Sequence, residues 1–198
     1  MPLPPELLRP ISREAINELP IQRFEGEVRL VAGPQDLEPA MADLLGETVI
    51  GFDTETRPAF RVGESYLPCL AQAASARAAY LFQLARADFS APLAELLGAE
   101  GIVKAGVGIG EDLKQMKKLF PFEQKATLDL GELARAHGLK QSGVRYLAAL
   151  FLGIRIPKGS KTSNWATRRL SAQQITYAAT DAWVCRQLYL KFEALGML

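Results

Sequence analysis

The strongest strand signal in the chain is Thr48-Val-Ile-Gly-Phe-Asp53, an apolar run that ends on a carboxylate. A continuous run of this kind predicts a strand buried on both faces. A shorter strand is expected at residues 28–31, followed after Gly33-Pro34 by a helix to about Leu45. Residues 68–75 and 79–84 are predicted to pair as two further strands, turning at Ala76-Arg77. Residues 91–97 read as a helix ending at Gly98, residues 102–107 as a buried strand, and residues 111–120 as a helix stopped by Pro121. Ala126-Thr-Leu gives a short strand, and Asp129 opens a helix that should end at Gly138. A helix is expected over 142–152 and a loop over 155–169. The last helix opens at Ser171, where Ser-Ala-Gln-Gln forms a capping box with Gln174, and runs to about Leu195. Strands come first and strand–helix alternation follows, which predicts an α/β layer fold around a mixed sheet. Pro2, Pro4, Pro5, Pro10 and Pro20 predict an irregular arm over residues 1–25, leaving 26–198 as one domain.

Composition narrows the chemistry. A chain of 198 residues suits one compact domain, and an apolar fraction of 48% is ordinary for a globular protein. The net charge of +1 means that any nucleic-acid binding must come from a local basic patch. Cys69 and Cys185 have no CxxC spacing, so a reduced, cytoplasmic protein is expected. His137 is the single histidine, which argues against a histidine-built zinc site and leaves a Ser-His-Asp triad one available base. The start of the chain does not read as a secretory signal. No stretch reaches the ~18 uninterrupted apolar residues of a membrane span, so no membrane partner is expected.

The acids carry the functional signal. Asp53 and Glu55 stand two apart at the end of the best strand and so share a face. Two adjacent carboxylates repel, and burial adds a desolvation cost that a divalent cation would relieve. The alternative is that they cap a turn before Pro58. Asp112 follows the strand at 102–107; as an acid at a helix start it also suits the helix macrodipole. Asp181 sits among apolar neighbours in the last helix, with Tyr177 four residues earlier on the same face, so it is either a ligand or half of a buried Tyr–Asp pair. Together the acids fit chemistry in which two metals ~3.5–4 Å apart activate a water and stabilise the leaving oxygen of a phosphodiester.

Three separated motifs, Asp53-Thr-Glu55, Gly108-Ile-Gly-Glu-Asp112 and Tyr177-Ala-Ala-Thr-Asp181, resemble in order those of the DEDD superfamily of 3′–5′ exonucleases. Lys158-Gly-Ser-Lys-Thr-Ser-Asn-Trp165 and Leu170-Ser-Ala-Gln-Gln-Ile-Thr-Tyr177 are similar to the stretch before the third motif in ribonuclease D and in the exonuclease domain of the Werner-syndrome helicase. The likeness runs from about residue 28 to the C-terminus. It implies a ribonuclease-H-like fold, with helices flanking a central mixed sheet of five to six strands. It implies that Asp53, Glu55 and Asp181 hold one divalent ion, Mg²⁺ or Mn²⁺. Asp53 would bridge to a second ion, and Asp112 would support that one partly through water. Tyr177 would orient or help deprotonate the attacking water. The histidine-bearing subgroup has His five residues before the last Asp; Thr176 stands there, so the tyrosine-bearing subgroup is the one resembled.

The implied partner is a nucleic-acid 3′ end, DNA or RNA. Residues 155–169 contain Arg155, Lys158, Lys161, Arg168 and Arg169 and no acid, as a phosphate-contacting loop would. Trp165 either stacks on a base or belongs to the core. By resemblance, the backbone near Thr56 lies close to the 3′-terminal nucleotide. Two other readings remain: a catalytically silent nucleic-acid-binding module of the same fold, and a dinucleotide-binding protein. The second rests on Gly106-Val-Gly-Ile-Gly with Asp129 ~20 residues on. Against it, Glu111 takes the third glycine's place, and Glu111 and Asp112 put two anions where a pyrophosphate should bind.

Overall fold

The computed structural model describes residues 3–61, 63–157 and 163–198. Its centre is a six-stranded sheet in the order β1-β4-β3-β2-β5-β6. The strands are β1 (Glu27–Val31), β2 (Val49–Thr56), β3 (Pro68–Ala74), β4 (Ala78–Gln83), β5 (Val103–Gly106) and β6 (Thr127–Asp129). The β2–β3 and β3–β4 pairs are antiparallel, while β1–β4, β2–β5 and β5–β6 are parallel. The tight β3–β4 turn is held by Ser75, whose Oγ accepts the N–H groups of Arg77 and Ala78 and donates to Asp43.

Helices cover both faces, as the apolar strands require. Ile50 and Phe52 of β2 meet helices α2 (Pro34–Leu45), α3 (Ser90–Gly98) and α4 (Ile109–Met116) through Leu44, Leu93 and Met116. The opposite face is covered by α5 (Leu130–Ala136), α6 (Val144–Leu147) and the long α7 (Ala172–Ala194). Val49 there packs in the cluster of Leu130, Leu147, Val184 and Leu188. Both halves of the capping box of α7 form: Ser171 Oγ accepts from Gln174 N at 3.2 Å, and Gln174 Oε1 accepts from Ser171 N at 2.9 Å.

Where α7 crosses β2, no side chain separates them. A Cβ on Gly51 would collide with the Ala182 carbonyl oxygen and stand 2.7 Å from the Arg186 nitrogen. Only glycine permits that approach. At the entry to α4, Gly108 serves differently: it has φ +79, a left-handed conformation that turns the chain straight from β5 into the helix.

Three expectations are corrected. The arm is not irregular throughout: α1 (Arg13–Glu18) forms in the proline-free interval between Pro10 and Pro20, capped by Ser12. The helix expected over 142–152 is one α-turn, α6, followed by a π-helical turn, Ala148–Leu152, that ends on left-handed Gly153. The helix expected over 111–120 starts and stops earlier, because Gly108 sets its entry and turns follow Met116. Among the described residues no helix is long and apolar enough to cross a membrane.

Replacing Gly51 by alanine should push α7 off β2 and destabilise the protein by about 2–3 kcal/mol. Urea denaturation of Gly51→Ala measures this, and an unchanged midpoint would show that the contact is slack.

Candidate active site

Asp53 and Glu55 project from β2 on the face that α7 covers, the side on which Gly51 admits the helix. Asp181 comes down from α7, four residues after Tyr177. One carboxylate oxygen from each of Asp53, Glu55 and Asp181 lies within 4.8 Å of the others. Asp112 stands in the first turn of α4 and is fixed by Thr54, whose hydroxyl donates to Asp112 Oδ1 at 2.5 Å. Thr54 lies between the two strand acids and faces the other way, so it links the α4 side to the α7 side.

Burial and mutual repulsion dominate the electrostatics. Burial raises Asp53 well above the usual carboxylate range, and Asp112, Asp181 and Glu55 add to the shift. Glu55 is pushed up to about 8 by burial, then by Asp181 and Asp112. Burial lifts Asp112 to about 6 against the opposing Thr54 hydrogen bond. Asp181 also rises to about 6 through burial, opposed by the Tyr177 hydrogen bond and by Arg145. Tyr177 keeps its proton far above the ordinary phenol range because of burial and the Asp181 charge. Such a cluster has too little positive charge of its own and suits added cations.

Gln72 points to the same need. It pairs directly with Asp53 across the β2–β3 ladder and is fully buried. Neither of its amide atoms has a hydrogen-bond partner among the described residues. A buried amide without a partner costs about 1–3 kcal/mol, so this one beside Asp53 suits hydrated ligands in the site. The donor set is all oxygen, as hard divalent cations prefer. The residues present fit such ions.

The substrate-side candidates fall in different places. Thr56 is exposed at the end of β2, just past a bulge, and Arg168 is exposed with its carbonyl accepting from Arg86. Trp165 is only 4% exposed, packed on Leu70, Leu81 and Ala178, with its ring 6.0 Å from that of Tyr177. Most of its indole is packed against these residues. Lys158 and Lys161 lie outside the described residues. Sequence reasoning passed over Thr54, Gln72 and Arg145. Only Gln72 left a signal, as a lone amide in the otherwise apolar strand 68–74.

The dinucleotide alternative fails on Asp129. Its Oδ1 accepts the N–H groups of Gly108, Gly131 and Glu132 at 2.9–3.2 Å, so the side chain caps α5 and pins the β5–α4 turn. His137 Nε2 lies 3.0 Å from the Met197 carbonyl oxygen.

A mixed sheet with carboxylates at the end of its central strand and helices on both faces is the ribonuclease-H-like architecture. The solved exonuclease (EXO) domain of Nibbler from Aedes aegypti has the same fold, at TM-score 0.78 and 24% identity over 87% of this chain and 91% of that one. A model of the 3′-5′ exonuclease family matches residues 28–196, and the chain belongs to that family. It is 36% identical over 107 residues to a ribonuclease D of Haemophilus influenzae, covering 54% of this chain and 27% of the relative. It is 32% identical over 191 residues to the mouse bifunctional 3′-5′ exonuclease/ATP-dependent helicase WRN, covering 91% of this chain but 14% of that protein. The chain thus spans about a quarter or less of those two relatives.

The raised carboxylates set a pH dependence. A folded state that holds these protons more tightly than the unfolded chain loses stability as pH rises from the ordinary carboxylate range toward about 8. Metal-free protein should therefore melt several degrees lower at about pH 8 than at about pH 5. Mn²⁺ should restore more at the higher pH, because protons compete for the same oxygens. Asp53→Asn should stabilise the metal-free protein at the higher pH by about 0.5–2 kcal/mol. Calorimetry with and without chelator reads all three effects; melting indifferent to both pH and Mn²⁺ would contradict the account.

Proposed function

We propose that this chain is a 3′–5′ exonuclease that hydrolyses phosphodiester bonds of a nucleic-acid strand from its 3′ end, one nucleotide at a time. The carrying observation is the convergence of Asp53, Glu55 and Asp181 within 4.8 Å beside Asp112, in a chain of the 3′-5′ exonuclease family. The reading includes two divalent cations, Mg²⁺ or Mn²⁺. Asp53, Glu55 and Asp181 would hold one, and Asp53 and Asp112 would serve the second. Bound there, such ions would supply charge that ionises an attacking water and offsets the leaving oxygen.

The chain's own residues do the rest. Tyr177 keeps its proton, so its hydroxyl suits a donor that orients the attacking water better than a base. Trp165 packs beside the Tyr177 ring and limits where that hydroxyl can point. Thr56, Arg168, Lys158 and Lys161 are assigned to the strand, touching sugar and phosphate without reading sequence. Residues 26–198 form the exonuclease domain, and residues 1–25 are an accessory arm. Two unpaired cysteines accord with action in the cytoplasm. One relative is named as a ribonuclease, so RNA is tested beside DNA.

Matched end-labelled RNA and DNA, single- and double-stranded, should lose mononucleotides from the 3′ end with Mg²⁺ or Mn²⁺ and stay intact with chelator. Asp53→Ala and Asp181→Ala should abolish release while remaining folded. Tyr177→Phe should slow it roughly tenfold or more. Wild-type turnover by either aspartate variant would sink the mechanism, and an unchanged rate in Tyr177→Phe would remove that residue from it.

A further inference from the structure

Beside the carboxylates lies a cleft of about 380 Å³, the size of a small-ligand site. Tyr177 belongs to both: it stands one turn before Asp181 on α7, and it lines the cleft with Thr176, Gln173, Pro157 and Trp165. The one charged side chain lining it, among the described residues, is Arg23. Arg23 comes from the arm, outside the residues that match the family. It is exposed and makes no ion pair among the described residues.

The backbone on either side of Arg23 is fixed to the domain. Gln22 N–H donates to the Arg155 carbonyl at 3.0 Å, and Arg155 N–H donates to the Pro20 carbonyl at 2.9 Å, making a parallel bridge at Ile21. Phe24 N–H donates to Thr180 Oγ1 at 3.0 Å, and that hydroxyl donates to the Thr176 carbonyl at 2.6 Å. The Phe24 ring packs near Trp183, with centroids 6.1 Å apart. The arm is thus anchored to α7 between Tyr177 and Asp181, and the anchored stretch holds a guanidinium at the mouth of the cleft. Guanidinium matches phosphate geometry with paired donors. With an overall charge of only +1, the chain depends on local cations of this kind for a polyanion.

We infer that Arg23 and this cleft form a binding site for one backbone phosphate of a single strand, so that the arm completes the substrate path beside Tyr177. The inference rests on the nuclease reading for its ligand, while binding can be measured without turnover.

The experiment uses fluorescent single-stranded RNA and DNA of one sequence, with the full chain in chelator for binding and in Mn²⁺ for release. Arg23→Gln should weaken binding roughly tenfold, and the slope of log affinity against log salt should become shallower by about one. Arg23→Lys should recover part of the loss. Arg13→Gln removes an exposed cation on α1 and should change neither quantity. In release assays Arg23→Gln should raise KM more than it lowers kcat.

Wild-type affinity and salt slope in Arg23→Gln would overturn the site, whatever the nuclease does. An equal loss in Arg13→Gln would also overturn it, by reducing the effect to net charge. If wild type binds but releases nothing, and Arg23→Gln still loses affinity, the site stands and the nuclease reading falls. If wild type neither binds nor cleaves, both fall. A loss confined to RNA or to DNA upholds the site and identifies the strand it takes.

Discussion

The backbone of α7 rests on β2 at Gly51, and the positions of Asp53, Glu55 and Asp181 follow from that contact. Alternation along the strand places Gly51, Asp53 and Glu55 on one face, so the helix that touches the first must pass over the other two. Asp181 precedes Ala182, whose carbonyl makes the closest approach, and Tyr177 is one turn further back. A β-carbon at residue 51 would displace the helix and with it one wall of the site. Ala178, Ala179 and Ala182 along α7 are small and fully buried.

That closeness is electrostatically unfavourable. Three carboxylates are drawn together at α7 with Asp112 of α4 beside them, and burial is the leading cause of each raised pKa. The apolar clusters on both faces of the sheet offset the cost, since they hold β2 and α7 in place independently of the acids. A site whose oxygens are crowded by packing rather than by attraction is preorganised for cations. Thr54 trims the repulsion from the α4 side by donating to Asp112, and from the α7 side the Tyr177 hydroxyl opposes the rise of Asp181.

The elements legible in the sequence were those written in local code. The run ending at Asp53, the hairpin turning at Ala76-Arg77 and the capping box at Ser171 each depend on neighbours within a few residues. The acids were legible in another way, through the order and spacing of three motifs that lie far apart in the chain. What stayed hidden depends on partners far apart in the chain. Nothing near Thr54 announces that its hydroxyl meets Asp112, and nothing near Phe24 announces Thr180. Trp165 read as core or as stacking platform, because indole suits both, and its burial on Leu70 and Leu81 is set by strands that the sequence around it does not name. The prolines of the arm were visible, but they cannot say where an arm docks.

The docking of the arm changes how α7 is understood. Thr180 stands between Tyr177 and Asp181, and its hydroxyl bonds back to the Thr176 carbonyl while accepting from Phe24. A threonine bonded back to its own helix tends to bend it slightly. Here the bond also leaves the oxygen placed to receive the arm. The segment that presents Arg23 is therefore coupled through one hydroxyl to the turn that presents Tyr177 and Asp181. The Arg23 guanidinium and the carboxylate geometry share a support, although Arg23 lies outside the family-matched residues and the carboxylates within them. The arm thereby belongs to the folded unit even though the sheet and its helices close without it.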